Sequence, residues 1–225
     1  MSELVKIPAA SSEYVARFDR PYVGFIFDDR PKVFERIVTA LLPFNYRLAN
    51  TELVTTGTPA DHKVIFRIPE RGISFQFGAE EYRFGKEGSS WATAAEDTEV
   101  WSAAEAALLT ESGAKIGSCS IALGMHLQLL SKTRDQVLAP FMPEPFKQLL
   151  IERQAQTFGC HMRFADGGDL LLDYSLLYAN GIFLRLSSQF RGRPPGPDIL
   201  AKVRSDQDKV FGMLGIQEAA TATHD

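Results

Sequence analysis

The chain has 225 residues, 45% hydrophobic and 11% aromatic, enough to bury a full core in one large domain or two small ones. A formal charge of −4 argues against a surface coated for nucleic acid or anionic membrane, while leaving room for a local basic patch. No apolar run approaches the ~20 residues of a membrane-spanning helix, the first ten residues lack a basic start followed by an apolar stretch, and Cys119 and Cys160 are expected as reduced thiols, so the expectation is a cytoplasmic protein without a membrane partner.

Residues 1–20 are expected as an N-terminal extension with one short strand over 4–7. The first half, 21–112, opens with a strand over 22–27, where Val23, Phe25 and Phe27 share a face. A helix follows. Asp28 or Asp29 can cap it, Pro31 suits its first turn, and Val33, Phe34, Ile37, Val38 and Leu41 form its apolar stripe before Pro43 ends it. Strands are predicted over 46–54, 62–68, 73–77 and 81–84, joined by short turns that include Gly57, Gly72 and Gly78. A Gly/Ser linker over 85–90 leads to an Ala-rich helix over 97–110, ended by Gly113.

The second half, 113–215, opens with the clearest strand of the chain. From Ile116 to Leu130 the residues alternate, placing Cys119, Ile121, Leu123, Met125, Leu127 and Leu129 on one face and Ser118, Ser120, Ala122, Gly124, His126 and Gln128 on the other. Helices over 134–138 and 144–152 are separated by Pro140 and Pro143. Strands over 156–164, 170–177 and 182–188 are joined by Asp166-Gly167-Gly168-Asp169 and Ala179-Asn180-Gly181 hairpin turns. A stiff loop with Pro194, Pro195 and Pro197 precedes a last helix over 198–214, and the tail from 216 is expected to be disordered.

The two halves carry the same order of elements at an offset of roughly 96–97 residues, with Phe66-Arg67-Ile68 over Met162-Arg163-Phe164 and Gly72 over Gly168. The fold expected is therefore α+β: a tandem β-α-β-β-β-α pseudo-repeat, both copies in one continuous domain. They would form a curved antiparallel sheet with helices on one face. That topology resembles the saddle of the TATA-binding-protein-like fold, and also the helix-grip fold, in which a curved sheet wraps a long helix. Topology alone implies no activity.

Motifs for chemistry are absent. Cys160-His161 are adjacent and so face opposite ways on a strand, and neither C-x-x-C nor H-x-x-x-H occurs, so no metal site is expected. Gly117-Ser118-Cys119-Ser120 fails the nucleophile-elbow pattern and lies on a strand. Gly167-Gly168 opens no helix and cradles no phosphate. Asp28-Asp29 belong to a cap and Asp166/Asp169 to a turn. The chain is expected to be neither an enzyme nor a cofactor protein.

Strand alternation leaves one face of the sheet open, carrying Lys63, Arg67, His126, His161, Arg163 and Arg185. Arginine forks on such a face pair with carboxylate or phosphate. The leading expectation is a binding or protein-interaction module working through this face, with a protein partner or a second copy as occupant. Trp91, Trp101, Tyr174, Leu176, Leu177 and Tyr178 form apolar clusters that suit core packing or a dimer contact. A second reading is a small-molecule binder or enzyme of helix-grip type. Its pocket would lie between the sheet and the C-terminal helix, in space left by Ser118, Ser120, Ala122 and Gly124. A third is nucleic-acid or polyanion binding on the basic face.

Overall fold

The computed structural model describes residues 2–25, 30–55, 57–58, 61–88, 94–152, 159–192 and 196–219. It is an α+β protein. Its strands are β1 (Glu3–Phe18), β2 (Thr51–Val54), β3 (Lys63–Ile68), β4 (Ile73–Gly78), β5 (Glu81–Gly88), β6 (Ile116–Leu129), β7 (Cys160–Arg163), β8 (Asp169–Tyr174), β9 (Gly181–Arg191) and β10 (Ile216–Glu218). Its α-helices are α1 (Arg30–Leu41), α2 (Ala94–Ser112), α3 (Arg134–Leu138), α4 (Glu144–Glu152) and α5 (Gly196–Leu214). The strands form a ten-stranded, mainly antiparallel sheet in the order β2-β3-β4-β5-β1-β6-β9-β8-β7, with β10 parallel to the start of β1.

Several elements differ from the sequence expectations. Residues 3–18 make one long strand rather than an extension with a short strand. Its buried positions change parity, from Glu3 and Val5 to Tyr14, Ala16 and Phe18, so simple alternation could not find its length. The strand expected over 22–27 is a 3-10 turn at Val23–Phe25; residues 26–29, including both candidate cap aspartates, lie outside the described residues. The strand expected over 46–54 is confined to β2 and is preceded by a 3-10 turn at Leu48–Asn50. Gly85–Gly88, expected as linker, continue β5. Ile216–Glu218, expected in the tail, pair with Glu3–Val5, while 220–225 lie outside the described residues.

The chain divides into two compact units. One comprises residues 11–122 and 189–199. In it β2 to β5 form a meander with in-register pairs such as Phe66↔Phe75 and Phe75↔Phe84. Alternation puts Val64, Phe66, Ile68, Phe75, Phe77, Tyr82 and Phe84 on the buried face. α1 covers this face with Val33, Ile37 and Leu41, spaced at i, i+4 and i+8, and Phe34 meets the Phe66 ring at 5.5 Å. α2 adds Val100, Trp101, Ala104 and Leu108. The β3–β4 connection is a 3-10 turn, Pro69–Arg71, closed by Gly72 at φ 62°. A Cβ there would stand 2.2 Å from the Glu87 carbonyl oxygen, so glycine is required by both backbone and space.

The other unit comprises residues 1–10, 123–188 and 200–225. β7, β8 and β9 form its meander, with His161↔Leu171 and Leu171↔Arg185 in register. Leu123, Met125, Leu127, Leu129, Leu170, Leu172, Ile182, Leu184 and Leu186 are buried, against Val203, Val210, Phe211 and Leu214 of α5. Alternation along β6 holds from Cys119 to Leu129, as the sequence predicts. α3 starts on a capping box in which Thr133 and Gln136 exchange hydrogen bonds.

Candidate functional site

The residues expected on the open sheet face do alternate away from the core. Lys63 is half-buried and Arg67 exposed, both on β3. Arg67 Nη2 lies 2.6 Å from Glu52 Oε2, and both side chains are about half exposed. On the same unit Arg83 reaches Glu81 Oε1 at 2.6 Å and Glu13 Oε1 at 3.3 Å, and Arg17 Nε reaches Glu81 Oε2 at 3.3 Å. Carboxylates therefore interleave with the arginines. That pattern follows from Glu13, Arg17, Glu81 and Arg83 falling on the non-core parity of two strands, so it was readable once β1 was known to extend to Phe18.

The remaining four residues belong to the other unit. His161 and Arg163 of β7 face Leu171 and Asp169 across the ladder, and Arg185 of β9 faces Leu171 from the far side. His161 Nε2 stands 3.9 Å from Asp169 Oδ1. His126 of β6 hydrogen-bonds Ser175 Oγ through Nδ1 at 2.9 Å and tilts against the Phe183 ring at 4.9 Å. Its burial lowers its pKa. Ser175 Oγ also accepts from the Leu177 and Tyr178 amides, which leaves its hydroxyl proton to point at His126 Nδ1. The turn so held presents Leu176, 96% exposed, to solvent. Trp101 instead packs in the core against Tyr14, at 4.4 Å, and Trp91 lies outside the described residues.

Two groups of titratable residues were not singled out by the sequence. The first is sealed in the core. Tyr82 donates its hydroxyl to the Glu105 carboxylate of α2, and neither side chain reaches solvent. Burial pushes the Tyr82 phenol up, and the Glu105 charge adds to it. Burial likewise raises Tyr14 beside it.

The second group lines a groove of about 370 Å³ between α5 and the β7–β9 meander. Its buried part is made by Leu186 and Ser188 of β9 and Val210 of α5. Phe164, 42% exposed, and Met213, 49% exposed, stand at its sides with Met162. Alternation assigns Met162 and Phe164 to the core-facing parity; it could not show that they stay partly exposed there. Gly168 closes the turn here, where a Cβ would stand 2.7 Å from the Ser187 carbonyl oxygen. Ser118, Ser120, Ala122 and Gly124, expected to make room for a pocket, are not among its lining; they alternate with the buried residues of β6.

The charged residues of the groove come from one helix and one turn. Lys202, Asp206 and Lys209 recur at i, i+4 and i+7 beside the apolar stripe of α5. Asp206 Oδ2 accepts from Lys202 Nζ at 2.7 Å and from Ser188 Oγ at 3.2 Å, and Oδ1 accepts from Lys209 Nζ at 3.4 Å. Burial would raise the Asp206 pKa, but Lys202, with Ser188 and Lys209, outweighs it and holds the carboxyl below its ordinary range. The bond to Asp206 raises Lys202. Asp166 Oδ2 lies 3.7 Å from Lys202, while Asp166 Oδ1 accepts the Gly168 amide at 3.1 Å. Among the described residues no group of three His, Cys, Asp or Glu side chains could hold a metal ion, and no helix is long and apolar enough to cross a membrane.

No family model and no curated protein matches the chain. Among solved structures, a "putative glycine cleavage system transcriptional repressor" aligns over 92% of either chain at 12% identity, with a TM-score of 0.17. A score so low carries no argument about fold or function.

Proposed function

We propose that the protein is a ligand-binding protein whose site is the groove between α5 and the β7–β9 meander. One observation carries this reading: an apolar, partly buried concavity sits beside a small set of fixed polar groups, which is the usual build of a small-molecule site. The helix-grip reading also expects a pocket between sheet and C-terminal helix, though in space beside Ser118, Ser120, Ala122 and Gly124. The doubled-unit reading supports it as well. The strands run β1-β5-β4-β3 in one half and β6-β9-β8-β7 in the other. On that correspondence Met162 takes the place of Phe66, which is 1% exposed beneath Phe34. In the first half Phe34 of α1 lies over this strand, whereas among the described residues of the second half Met162 and Phe164 stay partly exposed.

The sheet face remains a second reading, favoured by the exposure of Arg163 and Arg185. It is less supported because Glu52, Glu81, Glu13 and Asp169 already stand among the cations.

The test is a titration with Nile red, a neutral apolar dye. The parent should bind it saturably with a blue-shifted emission, and Phe164→Glu/Met213→Glu, at exposed positions the fold tolerates, should weaken binding about tenfold or more. Leu176→Glu should leave it unchanged. No saturable binding by the parent, or equal binding by the double variant, overturns the reading.

A further inference from the structure

The hydrogen-bonding groups of the groove are unevenly spent, and the imbalance points to a class of ligand. Both oxygens of Asp206 are occupied, one by Lys209 and one by Lys202 and Ser188 together. Asp166 gives one oxygen to the Gly168 amide. The ammonium groups are not used up in the same way. Each has three N–H donors. Lys202 gives one to Asp206, and its next carboxylate neighbour, Asp166, stands at 3.7 Å, beyond hydrogen-bond range. Lys209 is 73% exposed and meets Asp206 only at 3.4 Å. The charged end therefore offers N–H donors that reach solvent, where a ligand acceptor can take the place of water. It adjoins an apolar surface made by Leu186, Val210, Phe164 and Met213.

From this we infer that the groove takes an anionic amphiphile, a monocarboxylate with an apolar tail. Its carboxylate would accept from Lys202 and Lys209, and its tail would lie along Leu186 and Val210. This rests on the groove being the binding site, as proposed above. Asp166 is the built-in competitor. It faces the same Lys202 ammonium loosely, and it is 61% exposed, so a ligand carboxylate at hydrogen-bond distance displaces it at little cost.

The experiment is displacement of Nile red by decanoate and by decanol, which share a tail and differ in the head. In the parent, decanoate should displace the dye at about a tenfold lower concentration than decanol, and added salt should shrink the difference. Lys209→Gln, at an exposed position, should narrow the gap severalfold. Asp166→Asn keeps the acceptor for Gly168 but removes the competing charge, and should tighten decanoate severalfold relative to decanol. If Nile red binds but decanol competes as well as decanoate in every variant, the ligand class is wrong and the groove reading stands. If Nile red itself fails to bind, the groove reading falls.

Discussion

The Glu3 carboxylate accepts the hydroxyl of Ser131, 128 residues further along the chain. It also takes the amides of Leu130 at 2.8 Å and Ser131 at 2.7 Å, and Glu3 is only 1% exposed. Burial alone would raise its pKa. The Ser131 hydroxyl and the amides of Ser131, Lys132 and Leu130 outweigh it and bring it from the ordinary 4.5 to about 2. A carboxylate whose folded pKa is depressed stabilises the fold fully above its unfolded value and loses that contribution as pH falls through its folded one. Glu3 should thus make stability fall between pH 4.5 and about 2. Glu3→Gln should cost about 2 kcal/mol at neutral pH and flatten that part of the profile. Urea midpoints across this range decide it; parallel profiles for parent and variant would remove Glu3 from the account.

The Tyr82–Glu105 bond sets up a double-mutant cycle in a dry core. Its single changes are Tyr82→Phe and Glu105→Leu, of which Glu105→Leu takes the acceptor from a buried hydroxyl and should cost about 3 kcal/mol. Tyr82→Phe/Glu105→Leu removes both polar ends and should lose much less than the two single changes added together. Additive losses in chemical denaturation would show that the pair is not coupled.

Arg67 and Glu52 lie close, at 2.6 Å, yet both are about half exposed, and water screens such pairs. Arg67→Ala should change stability by less than about 1 kcal/mol. A thermal shift well beyond that would give this face a structural weight that its exposure does not suggest.

His126 supplies a pH test in the opposite half of the chain. Burial lowers its pKa from 6.5, so the folded state prefers the neutral ring that accepts from Ser175. Stability from this group is fully present above pH 6.5 and declines as pH drops through the lower folded value. Proton NMR titration of the ring should give a midpoint below 6.5. A midpoint at or above the ordinary value in the parent would contradict the buried, neutral assignment.

How much was legible in the sequence depends on how local each signal is. The alternation of Cys119 through Leu129 was complete because every second residue of β6 is covered on the same parity. The helix over Arg30–Leu41 and the turns at Gly72 and Gly167-Gly168 were likewise written in neighbouring residues. β1 was not, because its buried parity shifts between Val5 and Tyr14 and its partners lie far along the chain. The alternation of the six open-face residues away from the core was also local information, while their carboxylate neighbours depended on which strands pair.

The sequence by itself determined the α+β class, the order of most elements and which residues turn inward in strands such as β3, β4 and β6, since backbone geometry converts spacing directly into faces. Tertiary structure alone decided that the chain's first strand joins the sheet, that Glu3 finds Ser131, and that Met162 and Phe164 remain incompletely covered beside α5. These depend on strand pairing and on how far a helix reaches across a sheet, which are set by the balance of many distant contacts rather than by the period of any one segment.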